Sequence, residues 1–162
     1  DKARLIEASN DQVNKEMDQI FPIENLSLHP VDRADAALGG RQTSLVLEFF
    51  NRVDKKLNQV VRENPLPVLI CTEESNYHQY LKIADRKEII IGHLNGNGQN
   101  EKAHHIIERA WPVVRQINSN NNGKRLQELT GALNTGKLVT GYNDIWKAIQ
   151  DGKGKTLFRR QG

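Results

Sequence analysis

One cysteine, Cys71, stands in 162 residues, so no disulfide can close within the chain. It lies in the apolar run Val68-Leu69-Ile70-Cys71, where a buried, inert thiol is expected. No apolar stretch approaches the roughly 20 residues that span a bilayer, and nothing at the start resembles a signal peptide. The Asn25-Leu26-Ser27 sequon therefore carries no expected sugar, and the reducing cytoplasm is the expected location. Hydrophobic residues make up 37% and aromatics only 6%, which allows a core but not a large one. A strong charge imbalance is also missing. The net charge of +3 permits contact with an anionic surface without by itself indicating nucleic acid.

What is present is a set of alternating strand and helix patterns. Residues 3–8 read as a strand with Asn10-Asp11 as a turn behind it. Residues 12–20 are ambiguous, since Val13, Met17 and Ile20 suit a helix in a short segment. From Pro22 to Leu38 no period is sustained, which implies a long loop. The clearest element is a helix over 44–63, where Val46, Phe49, Phe50, Val53, Leu57, Val60 and Val61 form one apolar stripe. Arg52, Lys55, Lys56 and Arg62 lie off that stripe. Thr43 or Ser44 can cap its start, and Asn64-Pro65 ends it. A short strand over 67–72, a helix over 75–83 and an isoleucine-rich strand over 88–92 imply a parallel pair with a helical crossover, against which Val46, Phe50, Val53 and Leu57 should pack. A helix over 101–117 carries Pro112, where a kink or a first-turn position is expected. The Asn-rich stretch 118–123 reads as a break. Beyond it come helices over 125–133 and 143–150, the second capped by Asn143 or Asp144 with Gly152 at its C′ position, and a strand over 155–158. There is no internal repeat.

Few residues invite chemistry. His104 and His105 are adjacent, about 100° apart on a helix, and His29, His78 and His93 have no partner at ligand spacing, so no metal is expected. Gly152-Lys153-Gly154-Lys155-Thr156 imitates the end of a phosphate-binding loop, but Ile149 stands where that loop needs glycine and the strand–helix order is reversed. Asp32, Asp35, Glu73 and Glu74 have no nucleophile or second base at a suggestive spacing and read as solvated carboxylates. No cofactor is expected. The most informative segment is Gly39-Gly40-Arg41-Gln42, a glycine-rich loop leading into the strongest helix. Its glycines allow close backbone approach and the helix start favours phosphate.

A Gly-Gly…Gln loop entering a long amphipathic helix with basic residues outside resembles the middle domain of the archaeo-eukaryotic class-one peptide-chain release factors. In that family a Gly-Gly-Gln tip enters the peptidyl-transferase centre and helps water cleave peptidyl-tRNA. Here Arg41 intervenes, and Gln42 stands one place late. Phe49-Phe50-Asn51-Arg52-Val53-Asp54-Lys55-Lys56-Leu57, then Ala103-His104-His105-Ile106-Ile107-Glu108-Arg109-Ala110-Trp111-Pro112, then Leu138-Val139-Thr140-Gly141-Tyr142-Asn143-Asp144-Ile145 are similar to bacterial relatives of those factors. The resemblance implies an α/β fold: an RNase H-like middle domain over 1–118 with parallel strands and flanking helices, incomplete at its start. A hinge at 119–123 and a truncated L7Ae-like α/β/α unit over 124–162 would follow. It also implies a non-catalytic partner of the ribosome, ribosomal RNA or tRNA, acting on idle or stalled ribosomes through Gly39, Gly40, Arg41, Gln42, Arg52, Lys55 and Lys56. Two rivals are a peptidyl-tRNA esterase using Gln42 and a protein-interaction module with no RNA role. Oligomeric state is not indicated.

Overall fold

The computed structural model describes residues 2–25 and 38–159, with side chains in the second stretch from 44 onward. The chain divides into two compact units, Asp1–Asn118 and Ser119–Gly162.

The first unit is mixed α/β. Its strands β1 (Lys2–Ala3) and β4 (Ile23–Glu24) pair antiparallel, as do β2 (Ile6–Ser9) and β3 (Gln12–Glu16). The segment that suited a helix from Val13 is thus a strand. Asn10 sits at φ 58 in the two-residue connection, the left-handed backbone that tight hairpins require and that Asn tolerates. That local geometry favours the hairpin over a short helix, whose first turn is costly to form.

Helix α1 (Leu38–Glu63) ends at Asn64-Pro65, because a residue before proline is pushed out of the helical region. It starts six residues earlier than the apolar stripe indicates, so Gly39, Gly40, Arg41 and Gln42 belong to its first turns and not to a loop. Amides there lack intrahelical partners in any helix, and a long downstream helix propagates backwards over residues of modest propensity. The remainder of the expected loop, residues 26–37, lies outside the described residues.

Strands β5 (Val68–Thr72) and β6 (Ile90–Asn95) pair in parallel across helix α2 (Glu74–Ile83), as the strand–helix–strand order requires. The stripe of α1 faces inward. Phe49, Leu57 and Val61 are buried, whereas Val46, Phe50, Val53 and Val60 are half-buried, and the Phe50 and Tyr80 rings meet in a T-shaped contact with centroids 5.9 Å apart. Val46, Phe50, Val53 and Leu57 line one side of a partly open apolar pocket of about 580 Å³, bounded also by β5, β6 and the first turns of helix α3 (Ala103–Asn134).

Helix α3 contains Pro112 in its interior, so the Glu108 carbonyl loses its usual ladder donor. The expected break at 118–123 is helical and exposed. Asn and Ser lower helix propensity by only about 0.5–0.7 kcal/mol each, and no proline follows Pro112. Two good flanking segments therefore carry the helix through.

In the second unit α3 closes on Gly136 (φ 65) and helix α4 (Tyr142–Gln150) on Gly152 (φ 66). Lys137 N–H bonds to the Ala132 carbonyl and Lys153 N–H to that of Ala148, the same six-residue closure at both ends. Gly152 stands where the sequence places it. At the other end of α4 the expected caps Asn143 and Asp144 lie inside the helix, and Gly141 is the cap residue, with no side-chain bond. The expected strand at 155–158 is irregular, because among the described residues the second unit offers no strand to pair with it.

Candidate nucleic-acid interface

On α1 the inward and outward faces separate cleanly. Positions 52, 55, 56, 59 and 62 recur at helical spacing on the outer side, and Arg52, Lys55, Lys56, Gln59 and Arg62 are all exposed. Arg52 is held in place. Its Nη2 donates to the Glu24 carbonyl at 3.3 Å, and its guanidinium carbon lies 5.9 Å from the Phe49 ring centroid. Lys55 and Lys56 form no ion pair among the described residues, so their ammonium groups are available to an anion. Glu48 lies one turn before Arg52 and Glu63 just beyond Arg62, so the basic stretch is bounded by carboxylates at both ends. Arg41 falls about three turns before Arg52 in the same helix; the side chains of residues 38–43 lie outside the described ones.

A buried polar node anchors this helix, and sequence reading missed it. The Asp54 carboxylate, 5% exposed, accepts from Tyr80 Oη at 2.8 Å, Asn58 Nδ2 at 2.9 Å and the Asp85 backbone N–H at 3.3 Å. Three donors offset the cost of taking the charge out of water. Burial and the Asp54 acceptor push the Tyr80 hydroxyl far above its ordinary value, so it stays a donor. The signal was available: Asp54 and Asn58 fall within the apolar stripe, four residues apart.

A second node gathers around Arg4. Its guanidinium donates to both Glu16 carboxylate oxygens, at 2.6 and 3.0 Å, and to the carbonyls of Gly98 and Glu101 at 2.9 and 2.6 Å. Nearby, Arg109 bonds Glu101 at 3.1 Å and approaches Cys71 Sγ at 3.7 Å. Burial pushes the Cys71 thiol up, against the opposing pull of Arg109, so it is held protonated and is a poor nucleophile. His93 stacks on Tyr77, with centroids 4.4 Å apart and planes within 6°, and its Nε2 lies 2.7 Å from the Thr72 carbonyl. Among the described residues no three His, Cys, Asp or Glu side chains gather to hold a metal, and no helix is long and apolar enough to cross a membrane. Glu73 and Glu74 are exposed; Glu74 lies 3.6 Å from His78, while Asp32 and Asp35 lie outside the described residues.

A long basic-faced helix ahead of a parallel strand–helix–strand unit has a counterpart among known sequences. The model of bacterial archaeo-eukaryotic release factor family 3 matches residues 1–153. The chain belongs to that family. No curated protein matches it. Membership makes the chain release factor-like and directs attention to translation. Of the expected contact residues, the structure presents Arg52, Lys55 and Lys56 together on one helix face and puts Gly39, Gly40, Arg41 and Gln42 at the start of the same helix.

Proposed function

We propose that this release-factor family 3 chain acts by binding the translation machinery, laying the outer face of α1 against phosphates of ribosomal RNA or tRNA, in the bacterial cytoplasm. The observation that carries the reading is the exposed pair Lys55 and Lys56, without carboxylate partners among the described residues, beside an Arg52 pinned by Glu24 and Phe49. Supporting it is the rigidity of the platform. The Asp54 node fixes the helix to α2, so the cations are presented from a held surface. In this reading 1–118 is an RNase H-like middle domain and 124–162 the start of an L7Ae-like part; what supports a division near there is the separation of the chain into two compact units, Asp1–Asn118 and Ser119–Gly162. A binding role is the preferred one, and the backbone of Gln42 within the first turns of α1 is in keeping with it.

Co-sedimentation with ribosomes over a salt series tests the reading. The wild-type chain should bind less as salt rises, with each phosphate contact contributing a slope of about 0.7–0.9. The double substitution Lys55→Glu with Lys56→Glu should remove most binding and flatten the slope, whereas Gln42→Ala should leave it near wild type. Ribosome binding that ignores both salt and charge reversal would sink the RNA reading and favour a protein-interaction role. Peptidyl-tRNA cleavage lost in Gln42→Ala would establish the esterase instead.

A further inference from the structure

What the outer face of α1 lacks is as informative as its charge. Arg52, Lys55, Lys56, Gln59 and Arg62 fall within an arc of about 120° around the helix axis, and all are exposed. Glu48 and Glu63, also exposed, continue the same strip at its two ends. From Arg52 to Arg62 the helix rises about 15 Å, so the cations cover a short length between two carboxylates. A phosphate chain running along the axis meets Glu48 or Glu63 within about 22 Å and is repelled. One that crosses the axis meets cations alone.

No exposed residue of α1 from 44 onward is aromatic. Both phenylalanines of the helix are turned in. Phe49 is buried, with the Arg52 guanidinium carbon 5.9 Å from its ring centroid, and Phe50 lies against Tyr80. Proteins that hold single strands draw much of their affinity from bases stacked on aromatic side chains. The strip offers no such ring, so unpaired bases gain little there beyond their phosphates. A double helix keeps its bases stacked internally and presents phosphates at fixed positions, which a held row of cations meets without ordering a flexible chain. In RNA the major groove is deep and narrow, whereas the minor groove is wide, shallow and edged with 2′-hydroxyls. A helix face fits the second. Gln59 stands among the cations, and its amide can both donate to and accept from a 2′-hydroxyl.

We infer that the outer face of α1 recognises double-helical RNA, lying across the minor groove of a stem with Arg52, Lys55, Lys56 and Arg62 on phosphates and with shape read in place of sequence. This rests on the RNA-binding reading of α1 and narrows it to one class of target.

Fluorescence anisotropy with the full chain tests it, using a labelled RNA hairpin with a stem of about 16 base pairs, an oligouridine of equal length and the hairpin's DNA counterpart. At low salt the RNA hairpin should bind at least about tenfold tighter than oligouridine and more tightly than DNA, and exchanging its base pairs should change affinity by less than about twofold. Lys55→Glu with Lys56→Glu should remove most hairpin binding. Tyr142 and Trp146 of the basic second unit are exposed, so binding that survives the charge reversal is assigned to that unit and subtracted. Gln59→Trp adds a stacking ring to the strip and should raise oligouridine affinity by about tenfold. Far-UV circular dichroism confirms that each variant is folded. The inference is overturned if oligouridine or the DNA hairpin binds the wild type as tightly as the RNA hairpin, or if neither RNA binds. Hairpin binding untouched by the charge reversal, or a preference untouched by Gln59→Trp, overturns it too. Ribosome co-sedimentation is read separately. Salt-dependent ribosome binding without a hairpin preference sinks the duplex assignment alone, whereas loss of both sinks the RNA-binding role of α1 as well.

Discussion

The two units of this chain use apolar side chains in opposite ways. Phe21, Phe49, Leu57, Val61, Tyr80, Ala84, Ile106 and Ile107 are buried, and all belong to the first unit. No described residue of the second unit is buried; Leu126, Leu133, Tyr142, Trp146, Ile149 and Leu157 are each more than half exposed. Charge divides the same way. Residues 1–118 hold 15 basic and 17 acidic side chains, a balance of −2, while residues 119–162 hold 8 and 3, a balance of +5. The modest net charge of the whole chain therefore hides a basic segment. The hydrophobic effect rewards area removed from water, so stability resides in the first unit, and the second presents apolar and basic groups as surface.

The largest expected effect sharpens that contrast. Phe49→Ala removes a buried ring and should lower the stability of the first unit by about 3–5 kcal/mol, whereas Trp146→Ala, in a side chain 56% exposed, should change stability by no more than about 0.5 kcal/mol. Urea denaturation followed by circular dichroism gives both values. Equal losses would break the comparison, because they would mean that the apolar face of α4 is covered in solution.

A smaller effect probes the polar node. Tyr80→Phe keeps the ring against Phe50 but removes one donor from the Asp54 carboxylate, and should cost about 1–3 kcal/mol. The same denaturation series checks it. A neutral outcome would show that solvent reaches Asp54 and that the helix is held by apolar contacts alone.

How far the sequence foretold this structure depends on the kind of signal. The end of α1 at Asn64-Pro65 and Gly152 beyond α4 were legible because each follows from backbone rules that act within a few residues, and the parallel β5–β6 pair because strand–helix–strand order dictates it. Strand β3 was not, since Val13, Met17 and Ile20 fit a helical spacing while the deciding feature was the left-handed Asn10. The continuity of α3 through 118–123 was missed because low propensity was read as a stop, and propensity is a weak, additive preference. The early start of α1 hid for the same reason at Gly39-Gly40. The basic face of α1 followed directly from periodicity. The Asp54 node was visible as a polar pair in an apolar stripe, but its partners Tyr80 and Asp85 lie some 26 and 31 positions away, and no local pattern joins them.

The smallest effect is set by pH and belongs to the Arg4 node. The hydrogen bond from Arg4 holds the Glu16 carboxyl below its ordinary range. A carboxylate whose value is lowered on folding adds stability that is fully present above its unfolded value, about 4.3, and that is lost as pH falls through the folded value. Neutral solutions therefore contain the whole contribution, and the loss begins only as pH drops below that unfolded value. The Glu16 side chain is 40% exposed, which screens the pair and limits it to about 1 kcal/mol or less. Glu16→Gln should accordingly lower stability slightly at pH 7, and the difference from wild type should be smaller at pH 3. Thermal melts of both proteins at the two pH values measure it, with Trp146→Ala as a control whose difference from wild type should not depend on pH. A gap that persists unchanged at pH 3 would show that Glu16 stabilises the hairpin by packing, and that its ion pair with Arg4 contributes nothing.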